Sequence, residues 1–236
     1  ALLSGNIFSY MVTGSVNGLL SLKEKKQLTH DVIAFIFEPL SGLNFKAGQY
    51  FEWTLSHPKP DSRGVRRFFT ISSSPTENFI QLTSKFYNPA PSGAGPSTFK
   101  QTLQKLEPGD QIRVAHLSGE FIMPDATSKK LVFIAGGIGV TPFRSMIKYM
   151  VDKKEKRDVV LLFSNKTEQD IVFKDIFDKA KEVGVRTVYV NTDTMGYIDE
   201  NMIKKEVPDF KERIFYVSGP EPMVEAFEKL LKGAKL

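Results

Sequence analysis

The sequence predicts two domains of different class: an N-terminal antiparallel β-barrel and a C-terminal α/β domain with a doubly wound parallel sheet. Short runs rich in β-branched and aromatic residues, punctuated by turn residues, occupy positions 32–114. After Pro124, wholly apolar runs alternate with helical patterns, the mark of βαβ units. The polar stretch Asp125–Lys130 separates the two textures. At 236 residues the chain is long enough for two such domains. We divide it into a lead-in or linker at 1–22, a barrel at 23–125 and an α/β domain at 126–236.

Within the barrel, Val32–Phe37 reads as a strand that stops before Pro39. Tyr50–Leu55 alternates apolar and polar residues and ends before Pro58. Phe68–Ser72, Phe79–Ser84 and Gln111–Ala115 continue in the same style. One helix interrupts them: Ser97 or Thr98 caps a segment running through Leu106, and Phe99, Leu103 and Leu106 give it one apolar face. Its N-terminus is an expected anion site, with free amides and a positive dipole end. In the second half, strands are expected at Leu131–Ala135, Asp158–Phe163, Val185–Val190 and Arg213–Val217. Helices are expected from Pro142 to about Val151, from about Asp170 to Glu182, and over Glu200–Glu206 and Pro222–Leu231.

Composition narrows the chemistry. The sequence has no cysteine, which excludes disulfides, cysteine-ligated iron–sulfur clusters and a cysteine nucleophile, and fits the cytoplasm. His30, His57 and His116 lie far apart without ligand spacing, so each is read as a surface or loop residue and no metal site is expected. A net charge of +5 favours acidic partners. Lys and Arg form no long run, which argues against nucleic acid. The segment Ala1–Leu22 is apolar and carries no charge. It reads either as a first strand with its lead-in or as a linker from a partner domain, including a membrane one.

Four stretches carry the chemistry. Arg67-Phe68-Phe69-Thr70-Ile71-Ser72-Ser73-Ser74-Pro75 places a permanent cation, two rings and a run of hydroxyls together, a combination suited to a nucleotide with a flat heterocycle. Gly136-Gly137-Ile138-Gly139-Val140-Thr141-Pro142 follows a buried strand and opens a helix, the setting for a pyrophosphate. Proline stands where the common dinucleotide fingerprint has its third glycine. Ser164-Asn165-Lys166 ends the second α/β strand, where ligands of open sheets sit, and has no acidic residue; a ribose 2′-phosphate, hence NADPH, is favoured over NADH. Tyr216-Val217-Ser218-Gly219-Pro220-Glu221-Pro222-Met223 brings a turn to the same sheet edge.

Taken in order, these motifs resemble the ferredoxin–NADP reductase superfamily across about residues 20–232. The resemblance implies an FAD-binding barrel and an NAD(P)H-binding α/β domain, hydride transfer from NADPH or NADH to FAD, and release of single electrons to a separate acceptor. By similarity Arg67 pairs with the flavin pyrophosphate, Phe69 takes the place of a stacking Tyr, and Thr70 bonds to flavin N5. Phe68, Ile71, Ser72, Lys85, Gly95, Pro96, Ser97 and Thr98 complete the flavin set. Gly136, Gly137, Gly139, Thr141, Pro142, Ser164, Asn165, Lys166, Gly219, Pro220, Glu221 and Met223 serve the nicotinamide nucleotide. Ser218 stands where the family usually has a cysteine beside nicotinamide C4, so Thr70 and Ser218 are the expected catalytic positions. The sequence ends at Leu236 without the terminal aromatic that covers the flavin in many relatives. The acceptor is expected to be an acidic ferredoxin or flavodoxin, or a fused or associated membrane redox domain, with the chain in the cytoplasm or at the cytoplasmic face of a membrane. A flavin-binding sensor without catalysis is the reading outside the enzyme class.

Overall fold

The structure, a computed structural model, describes residues 17–86 and 97–233. They fall into two compact units, the first ending at Ile122 and the second beginning at Met123.

The first unit is a six-stranded antiparallel sheet in the order β4-β3-β6-β1-β2-β5. Its strands are β1 (Asn17–Thr29), β2 (Val32–Phe37), β3 (Tyr50–Thr54), β4 (Arg66–Thr70), β5 (Ile80–Lys85) and β6 (Gln111–Ser118). The chain just past β4 bonds to β5 through Ser72 N–H and the Gln81 carbonyl at 2.8 Å, drawing the two edge strands toward closure. Trp53, Phe35, Phe37, Phe51 and Phe99 are fully buried in its core. The Trp53 indole donates to the Phe69 carbonyl at 3.0 Å, so the largest core ring satisfies its one polar atom on β4.

The longest strand begins within the segment read as a first strand with its lead-in and runs beyond it. β1 runs for 13 residues, yet only Leu20 and Leu22 face the core. The expected lead-in therefore becomes strand from Asn17 and continues past Leu22 through Lys23, Lys25 and Lys26. A register shift after Leu22 accompanies this change, and main-chain pairing with β2 carries the charged half. Lys25 meets Glu107 at 2.8 Å there, which adds little on an exposed surface.

Helix α1 (Thr98–Lys105) buries Phe99 and Leu103 against this core and is capped by Ser97, whose side chain accepts from Lys100 N–H.

The second unit has a parallel sheet ordered β10-β7-β8-β9, from β7 (Leu131–Gly136), β8 (Val159–Asn165), β9 (Val185–Asn191) and β10 (Ile214–Ser218). All six residues of β7 are buried, as expected for a strand covered on both faces. The helices are α2 (Thr141–Lys153), α3 (Lys174–Lys179), α4 (Thr192–Met195), α5 (Glu200–Glu206) and α6 (Glu221–Gly233). The helix expected over Asp170–Glu182 is broken. Phe173 sits at φ 59°, which no helix interior allows, so a short turn at Glu168–Asp170 and then α3 replace it. That turn closes with a capping box between Thr167 and Asp170. Among the described residues no helix is long and apolar enough to cross a membrane.

At the amino edge of this sheet the Arg213 guanidinium grips Asp158 and Asp209, and Lys130 reaches Asp209 at 2.9 Å and Glu212 at 2.7 Å. Hydrogen bonds from Arg213 and then Lys130 hold the Asp209 carboxyl well below the usual carboxylate range. A carboxyl lowered on folding stabilises the fold above its unfolded range of about 4, and the gain is lost as pH falls through the folded value. Thermal unfolding should therefore show a midpoint that drops on acidification below about pH 4. Asp209→Asn should start from a lower midpoint at pH 7 and show a flatter acid dependence; an unchanged profile would remove Asp209 from this role.

Candidate functional site

The flavin candidates gather around β4 and α1. Alternation along β4 sends Arg67 and Phe69 toward α1, while Phe68 is 58% exposed and meets the Tyr50 ring edge-on at 5.7 Å. The Phe69 ring lies 5.8 Å from that of Phe99, and the Arg67 guanidinium carbon lies 5.5 Å over the same Phe99 ring. One buried aromatic of α1 thus fixes both the candidate stacking ring and the candidate phosphate cation. The Thr70 hydroxyl is half-exposed and makes no hydrogen bond among the described residues, so it is available to a ligand.

The rest of the hydroxyl run holds the barrel together. Ile71 is wholly in the core. Ser72 Oγ donates to the Gln81 carbonyl at 3.0 Å and pairs with Thr83 Oγ1 at 2.8 Å. Ser73 Oγ accepts from Gln81 N–H at 3.0 Å. These side chains satisfy buried backbone where the chain leaves β4 for β5, and Thr70 keeps a hydroxyl open to a ligand.

The cations are also engaged. Lys85 Nζ lies 3.0 Å from Asp31, and the Lys85 carbonyl accepts from Lys100 Nζ at 2.8 Å. Burial, then the charge of Arg63, pulls the Lys100 ammonium below its ordinary value. Thr98 Oγ1 accepts from Asp61 N–H at 3.0 Å and lies 3.0 Å from His57 Nε2. His57 Nδ1 sits 2.8 Å from the Leu55 carbonyl, which can only accept, so Nδ1 donates to it. Asp31, His57, Asp61 and Lys100 were not singled out from sequence as site residues. Asp61 falls in the turn-rich stretch Pro58–Gly64 and His57 reads as a surface or loop residue, because their partners lie 37 and 41 positions away. Gly95 and Pro96 lie outside the described residues.

The dinucleotide candidates meet at the carboxyl edge of the parallel sheet. Register places Gly136 beside Ser164 and Ala135 beside Ser218. A turn at Gly137–Val140 leads into α2, with Pro142 in its first turn. Gly137 has φ 51° and open space where a Cβ would stand, room for a phosphate against the backbone. Thr141 is 9% exposed at the start of α2. The Ser164 and Ser218 hydroxyls make no hydrogen bond among the described residues, and Lys166 is exposed. Asn165 is 6% exposed and its amide nitrogen is buried without a partner among the described residues. An orphaned donor in that position costs about 1–3 kcal/mol and suits a ligand acceptor. The Met223 sulfur fills the space over Gly136 and Gly219, while Pro220 closes on Gly136. Met223 thus shapes the loop from the protein side, and Glu221 begins α6.

Comparison with known proteins decides the family. Residues 19–122 match the family model of the oxidoreductase FAD-binding domain, and residues 133–229 match that of the oxidoreductase NAD-binding domain. The chain belongs to the ferredoxin–NADP reductase superfamily. It is 30% identical over 222 residues to the glycine betaine monooxygenase reductase subunit of Chromohalobacter salexigens, covering 87% of this chain and 58% of that protein. It is 29% identical over 216 residues to an NADPH oxidoreductase of Mycobacterium tuberculosis, covering 87% of this chain and 54% of the relative. The chain thus spans little more than half the length of these relatives. A ferredoxin NADP+ reductase from Neisseria gonorrhoeae, solved with FAD and NADP, shares the superfamily fold at a TM-score of 0.72 and 20% identity, over 92% of this chain and 91% of that one. The cytochrome b5 reductase domain of Ulva prolifera nitrate reductase gives 0.72 at 24% identity, over 89% of each chain.

The residues fit both groups that this superfamily binds. The barrel unit offers an aromatic ring, an open hydroxyl, a guanidinium and a helix N-terminus. The α/β unit offers an open glycine turn, two available hydroxyls, an orphaned amide and an exposed lysine.

Proposed function

We propose that this chain is the reductase part of an electron-transfer system, carrying electrons from NAD(P)H through FAD to a separate acceptor. The observation that carries this is the pairing of an FAD-binding and an NAD-binding oxidoreductase domain in one chain, in that order. When bound, the flavin accepts a hydride from the nicotinamide and gives up electrons one at a time. The protein positions and polarises. Phe69 offers a stacking face, Thr70 a hydroxyl for the flavin ring, Arg67 and the amides of α1 a phosphate site. Gly137 gives room for the second pyrophosphate, and Ser218 sets a small polar group at the nicotinamide end.

NADPH is the favoured donor, because Ser164 and Lys166 stand without an acidic residue at the end of β8. Lys166→Ala should raise the KM for NADPH about tenfold and leave that for NADH within about twofold, the loss of one charge-assisted contact. Equal changes would remove Lys166 from the 2′-phosphate. We place the reaction in the cytoplasm or at the cytoplasmic face of a membrane. The net charge of +5 favours an acidic carrier protein such as a ferredoxin or flavodoxin as acceptor. The apolar stretch Ala1–Leu22 favours the second reading, in which a fused or associated membrane redox domain takes the electrons. Steady-state reduction of ferricyanide by NADPH with FAD-loaded protein tests the proposal. Turnover supports it, and no turnover with flavin bound overturns it.

A further inference from the structure

We propose that Asp61 is a positioning residue for the flavin-phosphate cation: it locks the Arg67 guanidinium in one fixed plane beside the N-terminus of α1. This rests on the flavin reading of the barrel unit.

Arg67 Nη2 donates to both Asp61 oxygens, at 2.7 and 2.8 Å. Nη1 donates to the carbonyls of Arg63, Gly64 and Arg66, at 3.0, 3.0 and 2.6 Å. Nε is buried and has no hydrogen-bond partner among the described residues. The hairpin between β3 and β4 has therefore wrapped both ends of the guanidinium and left its middle nitrogen unused. A cation whose side chain is only 11% exposed needs a counter-charge, and Asp61 is the one carboxylate paired with it among the described residues.

Asp61 is itself held from two sides. Its Oδ1 accepts from Arg63 N–H at 2.9 Å, and its carbonyl accepts from Gly64 N–H at 2.8 Å. Its own N–H donates to Thr98 Oγ1 at the first residue of α1. One residue therefore ties together a guanidinium and a helix N-terminus, two anion-binding features far apart in sequence. Phe99, one residue further along α1, supports the guanidinium from its face at 5.5 Å. A phosphate contact needs a donor in a fixed direction, and a loose arginine loses part of its gain to ordering.

FAD titration of four proteins, followed by flavin fluorescence, tests this: the unmodified chain, Asp61→Asn, Arg67→Ala and the double variant. Asp61→Asn keeps the shape and one acceptor but removes the charge that anchors Nη2. Its Kd for FAD should rise about tenfold. In the Arg67→Ala background the same change should alter Kd by less than about twofold, because Asp61 acts through Arg67. A general loosening of the hairpin would instead cost the same in both backgrounds and overturn the proposal. Asp61→Asn binding FAD as tightly as the unmodified chain, or more tightly, would also overturn it, since Asp61 would then only shield the cation from phosphate. Asp61→Glu, which displaces the charge by one methylene, should weaken FAD likewise and replaces Asp61→Asn if that variant does not fold. An unmodified chain that binds no FAD at all would remove the flavin reading itself.

Discussion

Gly139→Ala should unfold or badly loosen the α/β unit. A Cβ at Gly139 would stand 2.5 Å from the Ser218 carbonyl oxygen and 2.6 Å from both the nitrogen and Cα of Gly219. These are main-chain atoms at the end of β10, which pairs in register with β7 up to Ser218 and Ala135. They cannot rotate aside as a flexible side chain would, so relief requires shifting β10 or the glycine turn. Overpacking against mobile neighbours costs about 1–3 kcal/mol, and this contact should lie at or beyond the top of that range. Gly137→Ala is the control. It has nothing within 4 Å but sits at φ 51°, so it should cost only about 1–2 kcal/mol of backbone strain. Denaturant unfolding of the two variants reads the difference directly. Equal midpoints would show that the approach of β10 to the glycine turn is not close.

The close approach explains why this motif was legible as sequence. A glycine turn between a buried strand and a helix has few physical solutions, and the structure adopts the expected one at the carboxyl edge with Ser164 and Ser218 alongside. The strand Val32–Phe37 and the helix Glu200–Glu206 fall on their expected residues for a similar reason, since local composition and capping specify them. β1 was harder. Its charged half carries no period-2 apolar signal, and its pairing is decided by β2 and β6. The expected helix over Asp170–Glu182 fails at one backbone angle, that of Phe173, which no propensity announces. In the flavin candidate, Arg67, Phe69 and Thr70 could be singled out as chemistry, but not what Arg67 holds. Asp61 reads as an ordinary turn residue until the fold brings it to Thr98.

Arg67→Ala should have the second large effect, and on two quantities at once. Removing the guanidinium takes away a charge-assisted phosphate contact worth about 1.5–3 kcal/mol, so FAD affinity should fall about 10–150-fold. It also leaves the Asp61 carboxylate and the carbonyls of Arg63, Gly64 and Arg66 without their donor, which should lower the thermal midpoint of the flavin-free protein. Arg67→Lys should not restore binding, since an ammonium cannot serve both the hairpin and the phosphate in one fixed plane. Unchanged FAD occupancy in Arg67→Ala, measured by absorbance after gel filtration, would refute the phosphate role. A lower midpoint alone would leave Arg67 as a staple of the hairpin.

The central claim is that nicotinamide nucleotide reduces the flavin held by this chain. An anaerobic titration of the FAD-loaded protein with NADPH and with NADH, followed by flavin absorbance, tests it most directly. The flavin band should bleach at about one equivalent of nucleotide, with NADPH acting at the lower concentration. Flavin that stays bound and oxidised in excess of both nucleotides would contradict the account.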